Sequence, residues 1–150
     1  MKIYFEDLAN GWVNLRIQSG NKDILNDGVS YSPYDSFGDL IDTLHVLKTL
    51  NGLTDRKVMF HAEPCEYEFN FTKSNSNFEL KVYEFPNSSR SIQPEILFEI
   101  EGDYKEVCLP FWRGLRSLQS ELTPEALDNA RHRQFPSKQL DLLTEVVKEE

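Results

Sequence analysis

The sequence predicts an α+β domain in which helices pack on one face of an antiparallel β-sheet, a meander of about five to seven strands. Several segments alternate apolar and polar residues at strand spacing, and the 10 Phe and 6 Tyr residues favour strands over a helical bundle. Most of these segments are joined by links of hairpin length, which indicates antiparallel pairing. Helical patterns occur once in the middle of the chain and again at its end, apart from most of the strands.

The first third of the chain predicts three strands and a helix. The strands are expected at 1–5, 11–18 and 23–31, and the second alternates apolar and polar residues from Val13 onward. A helix is expected at 36–51 because apolar residues recur there at the spacing of one helix face. That apolar stripe consists of Phe37, Leu40, Ile41, Leu44 and Leu47.

The middle of the chain predicts a meander of four strands. Pro64 and Cys65 predict a tight turn after the first of them, and the polar segment from Pro86 to Pro94 predicts an exposed loop before the last. The expected strand ranges are 57–63, 66–73, 77–85 and 95–101. In the last strand the expected inward residues are Ile96, Phe98 and Ile100, and the expected outward residues are Glu95, Leu97, Glu99 and Glu101.

The end of the chain predicts mainly helices. A short strand is expected at 105–109, followed by a helix from Pro110 to about Leu122, because proline is well tolerated at the first helical position. Thr123-Pro124-Glu125 predicts the start of another short helix. Ser137 is expected to cap a last helix. The apolar side of that helix consists of Leu140, Leu143 and Val147.

Length and charge limit the classes of function. The 150 residues suit a single domain spanning 1–150. The formal net charge of −9, from 25 acidic and 16 basic residues, disfavours nucleic acid and anionic membranes as partners, since both need a basic face. The same charge suits a basic protein partner.

The two cysteines and the start of the chain favour a cytoplasmic protein. The sequence turns acidic after five residues, so we expect no targeting segment. Cys65 and Cys108 are expected to be free thiols, because a chain without a secretory signal seldom carries a disulfide. The sequence contains none of the glycine-rich phosphate loops, nucleophile elbows or zinc-binding helix motifs, and we expect no cofactor.

One histidine offers an alternative, enzymatic interpretation. His61 shares an outward strand face with Glu63, and Glu66 begins the neighbouring strand. A histidine beside carboxylates can act as a base or bind a divalent metal, provided that enough ligands converge. The alternative function is therefore a small metal-dependent or hydrolytic enzyme built around these three residues.

Carboxylates dominate the outward positions of the predicted meander. Only Lys81 opposes them there, and like charges on neighbouring strands destabilise a sheet. Such a face suits a basic protein partner, and it also keeps an exposed sheet from stacking on other sheets. The predicted partner-binding residues are Glu63, Glu66, Glu68, Glu79, Glu95, Glu99 and Glu101.

Three segments in this order resemble small uncharacterised bacterial proteins of the toxin-immunity type. They are the strand Gly11-Trp12-Val13, the helix that contains Asp39-Leu40-Ile41, and the turn Glu63-Pro64-Cys65-Glu66, in which Cys65 stands where such turns carry glycine. The resemblance implies an inhibitor that neutralises a basic toxin by binding it.

The leading hypothesis is thus a non-enzymatic bacterial protein-binding module, of the immunity type, that uses an acidic sheet face. A third hypothesis is a structural domain that forms oligomers through Trp112 or the C-terminal helices.

Overall fold

The computed structural model describes residues 1–123 and 134–148, and in these ranges it shows a seven-stranded antiparallel sheet with four helices packed against it. The strands lie side by side in chain order. They are β1 (Lys2–Ala9), β2 (Trp12–Ser19), β3 (Lys22–Ser30), β4 (Thr54–His61), β5 (Glu66–Ser74), β6 (Asn77–Phe85) and β7 (Glu95–Gly102). The helices are α1 (Ser36–Thr49), α2 (Tyr104–Val107), α3 (Leu109–Glu121) and α4 (Ser137–Lys148). The predicted α+β class with an antiparallel meander is confirmed.

The predicted strand at 105–109 is wrong, because this segment begins with the helix α2 and continues into α3. A capping box starts α2: the Asp103 side chain accepts from the Glu106 backbone N–H, and the Glu106 side chain accepts from the Asp103 backbone N–H. An alternation of apolar and polar residues over only five positions cannot distinguish a strand from a helix, and here the capping box favours the helix. The helix predicted to start at 123–125 falls on residues outside the described ranges from 124 onward.

The sheet has two parts that meet at one point. Within the described range 1–123, β3 and β4 are paired only where Ser30 lies opposite His61, whereas the other neighbouring strands pair along most of their length. Helix α1 connects β3 to β4. Beyond the junction β3 approaches β7, with Cα atoms within 8 Å. The sheet therefore curls around its apolar side.

The core lies between this apolar side and the helices. All five residues of the predicted α1 stripe are buried. Phe37 is the centre of an aromatic cluster, with its ring centroid 5.5 Å from that of Phe5, 4.9 Å from Tyr31, 6.3 Å from Phe60 and 5.3 Å from Phe135. These contacts join β1, β4 and the segment before α4 to one helix.

Helix α3 lies close along β1, which is one edge of the sheet. A Cβ atom on Gly114 would lie 2.7 Å from the backbone carbonyl oxygen of Ile3 and 3.3 Å from the Phe5 ring. Only glycine permits this approach without a shift of the backbone. The helix thereby covers the β1 edge.

We expect Gly114→Ala to lower the free energy of unfolding by about 1–2 kcal/mol, because the new methyl group collides with backbone and this overpacking outweighs the higher helix propensity of alanine. Gly28→Ala is the matched control, since a Cβ atom there has no neighbour within 4 Å. Urea denaturation of both variants measures the difference. A Gly114→Ala protein as stable as the control would contradict the close approach of α3 to β1.

Candidate protein-binding surface

The seven predicted glutamates separate into groups with different environments. The outer face is the side of β4–β7 opposite the core, and Glu66, Glu68, Glu79, Glu99 and Glu101 all lie on it. Glu66 and Glu68, however, are only 1% and 6% exposed. The expectation that these two are open to solvent is wrong, because other segments of the chain cover them. Glu63 is exposed and lies in the turn between β4 and β5.

Glu66 and Glu68 are held by groups from two distant segments. The Tyr34 hydroxyl, from the segment before α1, donates to Glu66 Oε2 at 2.5 Å. Arg90, from the loop between β6 and β7, donates through Nη1 to Glu68 Oε1 at 2.8 Å and places Nη2 3.8 Å from Glu66 Oε2. We call Tyr34, Glu66, Glu68 and Arg90 the Arg90 cluster. In this cluster Arg90 neutralises part of the negative charge of Glu66 and Glu68, two residues that were expected to face a partner.

The loop that carries Arg90 is fixed to the outer face by more than the ion pairs. The guanidinium lies 4.1 Å from the centroid of the Phe85 ring, and Nη2 lies 3.0 Å from Met59 Sδ. Arg90 itself has a φ of 56°, in the left-handed region that costs energy for a residue with a Cβ atom. The contacts of its side chain offset that cost.

The alternative enzyme site is only partly assembled. His61 is the direct cross-strand neighbour of Glu66, but Glu66 is already bound by Tyr34 and Arg90, and Glu63 lies beyond the end of β4. Among residues 1–123 and 134–148 there is no group of three or more His, Cys, Asp or Glu side chains placed to hold a metal ion.

The two cysteines are free, as predicted, and both are poor candidates for nucleophiles. Burial raises the pKa of Cys108 to about 12, and burial also raises the pKa of Cys65. Both thiols therefore stay protonated near neutral pH, and the thiolate is the reactive form.

Next to Cys65, the Tyr67 hydroxyl donates to Asp27 Oδ2 at 2.6 Å, and burial raises the pKa of this tyrosine.

The strands β6 and β7 carry the outer-face carboxylates that are not buried: Glu99 and Glu101 are exposed, and Glu79 is half-buried. Glu79 lies directly opposite Glu101, and Glu99 lies opposite Lys81. Lys81 Nζ lies 3.5 Å from Glu79 Oε1, and nearby acidic groups, Glu79 first and then Tyr83, raise the pKa of Lys81. One cation thus faces three carboxylates. Like charges directly opposite each other cost a few tenths of a kcal/mol per pair.

The expected orientation of Glu95 is also wrong, because the register shifts within the hairpin. Val82 is opposite Phe98, but its neighbour Tyr83 is opposite Ile96, so Leu97 is an extra residue. The alternation of β7 changes at this bulge. Ile96 therefore lies on the outer face with Tyr83, and Glu95 lies opposite Glu84 on the other face.

Two large apolar side chains are exposed at the start of β7 and in the loop before it, towards the end of the strand pair away from Glu79 and Glu101. Ile96 is 52% exposed, and Ile92, in the loop that leads into β7, is 54% exposed. Protein-binding surfaces combine exposed apolar residues with charged ones. We call Glu79, Ile92, Ile96, Glu99 and Glu101 the β6–β7 surface.

Trp112, the residue proposed for oligomer formation, is half-buried between α3 and α4. Its indole N–H donates to Thr144 Oγ1 at 3.0 Å, so its polar atom has a partner inside the chain. The exposed Leu142 is the one large apolar residue that the described part of α4 leaves open.

No helix within 1–123 or 134–148 has the length and apolar character needed to cross a membrane. Searches of protein-family models, of curated proteins and of solved structures find no match to this chain.

Proposed function

We propose that this chain is a non-enzymatic protein-binding module whose β6–β7 surface recognises a basic protein partner. The observation that carries the proposal is the placement of Glu79 directly opposite Glu101, with Glu99 beside them and a single lysine among the three. The Arg90 cluster shows that this chain can neutralise outer-face carboxylates with its own arginine. The carboxylates of the β6–β7 surface have only Lys81 among them, so they stay largely unneutralised.

A basic partner would relieve the repulsion between these carboxylates. Its charge would also speed the encounter, because opposite surface potentials steer association. The exposed Ile92 and Ile96 add apolar area that a partner can bury. A surface of this composition has the apolar and charged parts that a protein interface combines.

The specific form of the proposal is an immunity-type inhibitor of a basic toxin domain in the bacterial cytoplasm. The similarity of three segments to small uncharacterised bacterial proteins supports its bacterial setting, and the acidic net charge of −9 in a chain of this size supports the immunity type. A gene for a basic toxin-like domain directly beside the gene for this chain would strengthen this form of the proposal, and the product of that gene is the partner to test first.

We expect the variant Glu79→Lys/Glu99→Lys/Glu101→Lys to bind that basic domain about 100-fold more weakly, because each reversal replaces attraction with repulsion. Calorimetric titration measures the affinity. For the unmodified chain, the affinity should fall about tenfold between low and physiological salt, since exposed charges are screened.

The matched control reverses three exposed acidic residues elsewhere, as Asp23→Lys/Glu121→Lys/Glu145→Lys. It changes the net charge by the same amount but leaves the β6–β7 surface intact. Equal loss of affinity in both triple variants would show that only net charge matters. Full affinity in the surface variant would refute the proposal.

A further inference from the structure

We propose that the basic partner binds by adding an extended segment to the edge of β7, as an eighth strand, and that this segment alternates basic and apolar residues. The inference rests on the proposed function and specifies how the β6–β7 surface takes its partner. Binding by strand addition uses backbone hydrogen bonds for affinity and alternate side chains for specificity.

The topology leaves β7 as an available edge. In the strand order β1 to β7 the two outer strands each have one paired neighbour. Helix α3 covers the β1 edge, where Gly114 meets the carbonyl of Ile3. Strand β7 pairs with β6, and β3 comes within 8 Å of it between Cα atoms without pairing to it in the described residues. A strand between the two would need about 9.6 Å, so an added strand can pair only with the part of β7 that β3 leaves open. An edge strand presents a row of unpaired backbone N–H and C=O groups.

The side chains of β7 define what an added strand must carry. Glu99 and Glu101 are exposed on the outer face, whereas Phe98 and Ile100 point to the core side and remain half-exposed at its margin. Residues directly opposite each other on neighbouring strands share a face. A strand beside β7 would therefore place one set of alternate residues next to two carboxylates and the other set next to two apolar side chains.

Charge complementarity selects the occupant. A second copy of this chain, paired edge to edge through β7, would bring its own Glu99 and Glu101 to the same outer face, and like charges on neighbouring strands are destabilising. A segment that alternates Lys or Arg with Val or Ile satisfies both faces of β7.

The test uses peptides of about ten residues, a common upper length for a strand. One alternates Lys and Val, and a control has the same composition with the lysines and valines in two separate blocks. We expect the alternating peptide to bind the full chain at least about tenfold more tightly. Hydrogen exchange of the β7 backbone amides should slow about tenfold with the alternating peptide only.

A charge swap between the chain and the peptide tests the same inference with a second, independent variant. The variant Glu99→Lys/Glu101→Lys should lose its affinity for the Lys-Val peptide and gain affinity for a Glu-Val peptide of the same alternation. Hydrogen exchange of the unliganded variant checks that its β6–β7 ladder is intact.

The possible results distinguish a failure of strand addition from a failure of the proposed function. Equal binding of alternating and block peptides, without protection of β7, would overturn strand addition and leave an acidic protein-binding surface. Binding that survives the charge swap would contradict both proposals. Protection of β7 that rises with protein concentration, in the absence of peptide, would identify a second copy as the occupant and overturn the inference.

Discussion

Replacement of Phe37 by alanine is expected to lower the free energy of unfolding by about 4 kcal/mol, since large-to-small changes of buried aromatic residues cost about 3–5 kcal/mol. Phe37 is 2% exposed, and its ring contacts those of Phe5, Tyr31, Phe60 and Phe135. Because these residues come from separate elements, no single neighbour can move to fill the cavity. The loss is a large share of the roughly 5–15 kcal/mol that stabilises a domain.

Urea denaturation followed by circular dichroism measures this change. The matched control is Leu53→Ala, since Leu53 is 75% exposed and its truncation should alter stability by less than about 0.5 kcal/mol. A Phe37→Ala protein that unfolds at the same urea concentration as this control would contradict the central position of Phe37 in the core.

The second large effect concerns the Arg90 cluster. We expect Arg90→Ala to lower the free energy of unfolding by about 2 kcal/mol, because it leaves the buried Glu66 and Glu68 without their cation. The value lies below the range for fully buried ion pairs, since the Arg90 side chain is 35% exposed and solvent screens part of its charge.

A double-mutant cycle separates the charge from the packing of the loop. Glu68→Gln removes one buried charge, so adding it to Arg90→Ala should recover part of the loss. Arg90→Lys should be intermediate, because lysine keeps the charge but loses the planar contact with Phe85. Strictly additive effects of Arg90→Ala and Glu68→Gln would contradict the 2.8 Å contact between the two side chains.

The Arg90 cluster also determines which variants can test binding. Charge reversal of Glu66 and Glu68 would place two cations beside Arg90 in a buried site, so the variant would report on folding. Reversal of Glu79, Glu99 and Glu101 acts on side chains at the surface. The structure therefore moves the proposed binding surface from the middle of the sheet towards its last two strands.

Local patterns were sufficient to predict most of the elements. The range predicted for β6, 77–85, is the observed one, and the apolar stripe of α1 is buried as expected. Both predictions depend on the spacing of residues within one element, which sets the face that a side chain occupies. The outer-face positions of Glu79, Glu99 and Glu101 were predicted for the same reason.

The candidate site was predicted only in part, because two decisive features depend on contacts that local spacing does not contain. The bulge at Leu97 moves Glu95 to the other face. Glu66 and Glu68 have the alternation of exposed residues and yet are buried. The one sequence signal for the burial of these two glutamates was Arg90, in the middle of a polar loop. The neighbouring sequence does not indicate which residues this arginine contacts.

Composition and the periods of 2.0 and about 3.6 residues were enough to predict the α+β class, the two faces of the strands and the excess of carboxylates on one face. Which of those carboxylates face solvent depends instead on contacts between segments that are distant in the chain. Arg90 is separated from Glu68 by 22 residues along the chain, and their contact exists because the loop between β6 and β7 folds back over β5. Residues so far apart meet only when the whole sheet is assembled, and that assembly buries Glu66 and Glu68 while Glu99 and Glu101 stay exposed on the outer face.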